Sequence, residues 1–340
     1  MNLQPKKSKP VVTVIVCTRD RPQLLENCLV ALVRQTHPNF DILIVDNARL
    51  PQVRDICRRH GVEYCHEPVP GLSRARNTGA RVARGAIVAY IDDDAIPNPD
   101  WLSALVRDFE NPAVAAVTGQ IRYVKACDRT RLMLSDDAPY EMAARSRNAF
   151  DQGTQAWFAK ACFGGIGDGG NMAFRRDLIA GPAIFDERLG RGQTLDGGEE
   201  HVAFMSLISH GYRVTHTPEA VIRHPGPATP EQQRARHFNN LRSSIAYLMF
   251  LFAEFPTHRL EIVGFLLRAV ARRLTGYGYT RKGRISRGLA LRAIARGPFL
   301  YWKARGDWRR KAVSSRPLRA TQVPGSLAHA PRGGGARSFE

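Results

Sequence analysis

An α/β fold is what the sequence predicts: a sheet of apolar strands covered on both faces by helices, extended toward the C-terminus by basic helices. Three observations predict it. Apolar, β-branched runs alternate with segments of helical periodicity over the first third of the chain. These runs end in polar residues, several of them charged. The excess positive charge is concentrated far from them, at the other end of the chain.

Residues 11–17 form an uninterrupted apolar run of strand length, and residues 22–34 place Leu24, Leu25, Cys28, Leu29, Leu32 and Val33 at helical spacing. The unit repeats as a strand over 41–45, a helix over 52–60, a short strand over 62–65 and a helix over 73–83. A strand over 86–91, a helix over 99–109 and a strand over 113–118 follow. Strands this uniformly apolar imply a parallel sheet buried on both faces, and such sheets bind ligands beyond the carboxyl ends of their strands. Thr18 and Arg19 follow the first strand, Asp46 and Asn47 the second, and Asp92, Asp93 and Asp94 the strand ending at Ile91, so these polar groups converge on one edge.

Residues 123–158 read as mixed helix and loop, 163–174 as a Gly-rich segment, 199–210 as a helix and 212–216 as a strand. Beyond Pro230 the helices are long and basic, and from Ser314 the Pro-, Gly-, Ser- and Arg-rich sequence reads as disordered. The expected organisation is a catalytic domain over 1–230, a basic helical extension over 231–313 and a disordered tail over 314–340. There is no internal repeat.

With 340 residues and 44% hydrophobic content the chain can bury a core. Its net charge is +19. From Pro256 onward, 19 Lys and Arg face only Glu261, Asp307 and Glu340, so +16 of that charge belongs to the C-terminal region. The six cysteines form no CxxC pair, and several sit in apolar or helical patterns, as reduced thiols do. The basic N-terminus leads into a run too short for a signal peptide's apolar core, and no apolar stretch reaches the roughly 20 residues of a membrane span. A cytoplasmic protein, peripheral at the inner face of the plasma membrane, is the expected setting.

Three adjacent aspartates repel one another and lose hydration when buried, unless a cation compensates them. A hard divalent ion, Mg²⁺ or Mn²⁺, is the natural partner, because it takes carboxylate and phosphate oxygens together. The plainer alternative, that they cap the next helix, accounts for one aspartate better than for three.

The stretches VTVIVCTRDRP, ILIVDN, GLSRARNTGARVARGAIVAYIDDDAIPNPDWL, GGNMAFRR and GGEEHVAFMSLISHGYRV resemble, in order and spacing, the family 2 glycosyltransferases across residues 11–226. The resemblance implies the GT-A fold, a Rossmann-like mixed sheet flanked by helices. It also implies a metal-dependent, inverting transfer of a sugar from a nucleotide-diphosphate sugar to a saccharide or lipid-linked hydroxyl, an activity of class EC 2.4. In its terms Asp46 meets the donor's base, Asp93 the ribose and Asp94 the metal, while Asp92 is either a support or a ligand. Thr18 and Arg19 lie at the nucleotide, Arg76 falls beside the phosphates, and His224 takes the place of a metal-ligating or phosphate-facing histidine.

The family's acidic pair falls on Glu199 and Glu200, with Glu200 at the position of the base. Relatives carry Glu-Asp there, so Glu199 or Asp196 stays open as the base; two acids in a first helical turn can also simply complement the helix dipole. A second departure is Val45-Asp46-Asn47, where relatives continue Ser-x-Asp, which leaves the donor nucleotide open. The arginines interleaved with Leu, Phe, Tyr and Trp between Arg259 and Arg310 fit either an anionic membrane surface or a packed extension.

Rival readings are a nucleic-acid or membrane binder using the basic region, a nucleotidyltransferase, and a catalytically silent scaffold. A nucleic-acid partner is disfavoured because it leaves the triple aspartate unexplained and no recognition module is present. A nucleotidyltransferase is expected to show a Gly-rich, Lys-containing signature where this chain has Thr18-Arg19-Asp20-Arg21-Pro22.

Overall fold

Nine strands form one sheet in the computed structural model, which describes residues 12–124, 145–181, 183–226, 229–275 and 286–311. The first half follows the predicted alternation: β1 (Val12–Thr18), α1 (Pro22–Leu32), β2 (Phe40–Asp46), α2 (Pro51–His60), β3 (Glu63–His66), α3 (Leu72–Val82) and β4 (Ile87–Asp92). Then come β5 (Ile96–Pro97), α4 (Trp101–Val106), β6 (Val114–Val124), β7 (Asn148–Phe150), α5 (Trp157–Cys162), β8 (Asn171–Arg175) and α6 (Arg176–Ile179). The chain continues through α7 (Glu199–Ser209), β9 (Arg213–Pro225), α8 (Pro230–Glu254), α9 (Arg259–Thr275) and α10 (Arg287–Lys311).

The strands lie in the order β3-β2-β1-β4-β8-β6-β9-β5, with β7 beside β9. The first four are mutually parallel. The chain lays β2 and β3 on one side of β1 and then returns to lay β4 on the other, so the order reverses at β1, the place where such sheets open a crevice.

The all-parallel sheet read from the strand pattern is corrected, because β8 runs antiparallel to both β4 and β6. Five residues inside a Gly-rich segment give no separate strand signal, and no crossover helix of useful length precedes them, so the strand enters reversed. The sheet is mixed, as in the GT-A fold. Strands β6 and β9 also run past the expected ends at 118 and 216, their pairing shifting register between Gly119 and Gln120.

Period-two alternation sorts β1 between the two faces: Val12, Val14 and Val16 join Leu25, Leu29 and Trp101 on one, and Ile15 joins Phe158, Phe174 and Phe204 on the other. Both faces are covered, which is why the run reads as continuously apolar. Trp101, expected in the core, is fully buried and donates its indole N–H to Asn171 Oδ1 at 2.8 Å. Among the described residues the cysteines are free, and burial pushes the Cys17 thiol up to about 12. Cys127 lies outside the described residues.

The C-terminal helices complete the second face. Ala246, Tyr247, Phe250 and Leu251 of α8 and Tyr301 and Ala304 of α10 belong to the same buried cluster as Phe174 and Phe204, so residues on both sides of the boundary drawn at 230 share one core. Arg188 pins the junction, with its guanidinium 4.8 Å from the Phe250 ring and 5.4 Å from the Trp308 ring, paired to Asp186 at 2.7 Å and Glu254 at 3.1 Å. Gly297 lets α10 approach α8, because a Cβ there would lie 2.5 Å from Ile245 Cβ. No helix among the described residues is long and apolar enough to cross a membrane. The 314–340 tail, the N-terminal decapeptide and most of the irregular 123–158 segment lie outside the described residues.

Because the C-terminal helices are core, Phe250→Ala is expected to lower the unfolding free energy by about 3–5 kcal/mol. Leu291→Ala, on the outer side of α10, should stay within about 0.5 kcal/mol of the parent. Urea unfolding of the full chain, followed by circular dichroism, measures both.

Candidate active site

Backbone pairing alone brings the polar strand ends together. Thr18 lies opposite Asp46, Cys17 opposite Asp92 and Ile91 opposite Asn171, which sets the ends of β1, β2, β4 and β8 along one edge. Immediately after the aspartates, β5 pairs with the second half of β9, Ile96 against Arg223. That short contact delivers His224 to Asp94.

Each aspartate meets a different environment. Asp93 accepts from Thr18 Oγ1 at 2.7 Å and from Arg21 at 3.3 Å, and burial pushes its carboxyl up to about 6. Burial also works against the Asp94 charge, but bonding to His224 and the Arg21 guanidinium outweigh it and hold that carboxyl below its ordinary value. Arg21 reaches Asp94 at 3.2 Å. His224 Nδ1 donates to Pro225 O at 2.9 Å, which turns Nε2 toward Asp94 at 3.0 Å and Asp92 at 3.7 Å. Desolvation lowers the imidazole pKa and the two carboxylates raise it, with a net rise.

Asp92, Asp94 and His224 each offer one ligand atom, all within 4.8 Å of one another. Two carboxylate oxygens and an imidazole nitrogen at that spacing fit a divalent cation with bonds of about 2.0–2.6 Å. Asp92 thereby joins the two residues expected at the metal.

Arg76 crosses from this cluster to the second acidic group. It is 3% exposed and donates to Glu199 Oε1 at 2.7 Å and Gly169 O at 2.9 Å, with Asp92 Oδ1 3.8 Å away. Arg76 lines the cavity, and two of its five N–H donors are given to protein acceptors. Glycine is needed beside it, since a Cβ at Gly170 would lie 2.4 Å from Asp92 Oδ2 and one at Gly169 3.0 Å from the guanidinium.

The acids at the start of α7 follow Gly197 and Gly198, whose φ values of +133° and +94° suit only glycine. Burial, reinforced by Glu200, pushes the Glu199 carboxyl up to about 7. Burial also raises Glu200, and Oε2 of both acids is buried without a hydrogen-bond partner among the described residues. Asp196 is exposed and paired with Arg191 at 3.0 Å. Thr18, Arg19, Asp92, Asp94, Glu200 and His224 are among the residues around one cavity of about 670 Å³.

Asp46 is the expected site residue that the structure keeps off this surface. It is fully buried, and its oxygens accept from the N–H groups of Ala48, Arg49 and Leu50 and from Tyr64 O–H. A carboxylate has about four acceptor positions, and all are taken in holding the turn into α2, where Arg49 adopts φ +61°. Neighbouring Asn47 lines the cavity instead. Sequence reasoning gave no site role to Arg21, although it stands in the quoted strand-end motif. It also missed Tyr123, Arg236 and Asn240, which reach the cavity from β6 and α8 without any motif of their own.

The chain is similar to known proteins over much of its length. Residues 13–180 match the family model for glycosyl transferase family 2. Glycosyltransferase AglE of Haloferax volcanii is 30% identical over 122 residues, covering 34% of this chain and 40% of that protein. Glucosyl-dolichyl phosphate glucuronosyltransferase of the same organism is 25% identical over 232 residues, covering 63% and 68%. This chain thus spans two-fifths of the first relative's length and about two-thirds of the second's. The crystal structure of S. aureus TarS 1-349 in complex with UDP-GlcNAc superposes with a TM-score of 0.50 at 15% identity, covering 88% of this chain and 92% of that one. That likeness concerns the fold.

Arg76→Met leaves Glu199 as a buried carboxylate without its cation, and a loss of about 3–5 kcal/mol is expected at pH 8. Glu199 binds its proton more tightly folded than unfolded, so the loss should shrink as pH falls through about 7 toward 5. Adding Glu199→Gln should recover at least half of it at pH 8. Denaturant midpoints of the two variants at both pH values check the sign.

Proposed function

Residues 13–180 of the chain belong to glycosyl transferase family 2, and from that premise we propose that the protein moves a sugar from a nucleotide-diphosphate sugar to an acceptor hydroxyl with inversion at the anomeric carbon. One observation carries the reading: a carboxylate–histidine cluster and a second acidic pair face the same cavity from its two sides, with Arg76 between them.

The donor's diphosphate lies toward Asp92, Asp94 and His224, the residues that would hold Mg²⁺ or Mn²⁺. When bound there, such an ion draws phosphate oxygens together and neutralises the charge of the departing nucleoside diphosphate. Asp93, oriented by Thr18, accepts from a ribose hydroxyl. Its carboxyl is held by two donors already, which fixes the direction it presents. Asp46 serves this site at one remove, by shaping the turn beside Asn47.

On the other side, Glu199 is buried and bound through Oε1 to Arg76, whereas Glu200, the less buried of the two, lines the cavity without an ion-pair partner among the described residues. We assign Glu200 as the base. The acceptor oxygen forms its bond to the anomeric carbon as the bond from that carbon to the diphosphate oxygen breaks. The hydroxyl proton passes to the Glu200 carboxylate, and the electron pair leaves with the nucleoside diphosphate. Glu199, kept in place by the guanidinium, fixes the first turn of α7 from which Glu200 projects.

The acceptor in this reading is a saccharide or lipid-linked hydroxyl, and the setting is polysaccharide or glycolipid assembly at the cytoplasmic face of a membrane. The second relative's name, which specifies a glucosyl-dolichyl phosphate, supports a lipid-linked acceptor.

A panel of nucleotide sugars assayed for release of nucleoside diphosphate, with Mn²⁺ and with chelator, tests the reading. At least one donor should turn over with Mn²⁺ only, and Asp94→Ala should abolish that turnover. Full activity of Asp94→Ala would refute the site. Glu200→Gln should lower kcat by about 10²–10⁴-fold. In the parent, kcat/KM should rise with pH through a limb above the ordinary carboxylate value of 4.5, because a base must be ionised and burial raises both acids of the pair. A limb at or below 4.5 would speak against the pair.

A further inference from the structure

Helix α10 has two apolar faces. Ala290, Ala293, Tyr301 and Ala304 are buried, at spacings that keep them on the side packed against α8. Leu291, Phe299 and Trp302 also follow a helical spacing, roughly opposite at about 100° per residue, and they are 67%, 73% and 58% exposed. Among the described residues nothing covers this second stripe.

The stripe's charge narrows what can cover it. Arg292, Arg296 and Lys303 flank it on one side and Arg305 on the other, with Arg305 Cζ 5.3 Å from the Trp302 ring centroid. The helix's sole acid, Asp307, is turned inward, where its Oδ2 accepts from Thr194 Oγ1 at 2.8 Å. A second copy of this face would meet like charge, and so would the chain's own basic residues beyond 311. The remaining fit is an anionic surface that is also apolar just beneath.

We propose that the outer face of α10 docks on an anionic lipid bilayer, with Leu291, Phe299 and Trp302 entering the headgroup boundary and the flanking cations meeting lipid phosphates. Helix α9 repeats the pattern in small, with Leu260 and Leu267 exposed beside Arg259 and Arg268. The docking deepens the reading of a lipid-linked acceptor and rests on it only for its purpose. Because Asp307 ties α10 to the loop before Glu199 and Glu200, the seated helix holds the base side of the cavity near the bilayer.

The test is co-sedimentation of the full chain with vesicles of phosphatidylcholine alone and of phosphatidylcholine mixed equally with phosphatidylglycerol. Binding is expected to the mixed vesicles only, and to weaken as salt is raised. Phe299→Ser with Trp302→Ser changes two exposed side chains and should weaken binding by at least about tenfold, since each ring contributes buried apolar area. Turnover of a water-soluble acceptor should be unchanged in that variant, and Asp94→Ala, inactive under the reading above, should sediment like the parent. Failure of catalysis and failure of docking are thereby told apart. Undiminished binding by the double variant would overturn the proposal, as would equal binding to phosphatidylcholine alone. So would loss of self-association or of RNA binding, rather than of vesicle binding, on the same substitutions.

Discussion

The site depends on one buried guanidinium. Arg76 stands between carboxylates that would repel each other across the cavity, and among the described residues it pairs with both sides, Glu199 at 2.7 Å and Asp92 at 3.8 Å. Its position is fixed from behind, because Tyr90 O–H donates to its carbonyl at 3.0 Å. Much of the neighbouring architecture follows from the room it needs. Residues 169 and 170 must lack side chains, α7 must begin where Glu199 can meet the guanidinium, and β8 must run close enough to β4 to carry Gly169 there. Leaving one ion of such a pair buried and alone is far costlier than never having had the pair, so these constraints hold one another in place.

Charge compensation also explains how three adjacent aspartates can differ. Asp93 is buried deepest, with donors that are too few to offset its desolvation, and its carboxyl is raised. Asp94 gains His224 and Arg21 and is lowered. Asp92 stays turned toward His224 and Arg76. The imidazole and the two outer carboxylates bring one atom each to within 4.8 Å of one another, while the middle aspartate belongs to Thr18. Alternation along the turn after β4 sorts the three side chains in this way.

The parts of this that the sequence displays are those built from continuous local pattern. Strands β1 to β4 and helices α1 to α3 were legible within a residue or two, because burial on both faces writes an unbroken apolar run and helices between them write a clear period. The aspartates stood out as candidate site residues because three charges at a strand end are costly unless a cation compensates them. Partnership across the fold was not. Nothing local says that Arg76 turns to Glu199 across 123 positions of sequence, or that Asp46 spends its oxygens on the turn that follows it. Strand β8 was hidden in glycines whose purpose is to admit Arg76 and Asp92. Helices α8 and α10 looked like an appendix because their arginines dominate the composition, whereas their smaller buried residues, Ala246, Ala293 and Ala304, carry the packing.

That packing sets an order on the making of the molecule. Ribosomes deliver the sheet first, with its face toward Phe174 and Phe204 still bare, and the side chains that close it, Phe250, Tyr301 and Trp308, emerge later. The loop leading to the acids waits as long for its tether at Asp307. A growing chain thus holds its Asp92–Asp94–His224 cluster long before the opposite wall is braced, and proteins interrupted in synthesis display a sticky, half-covered sheet that quality-control chaperones can recognise.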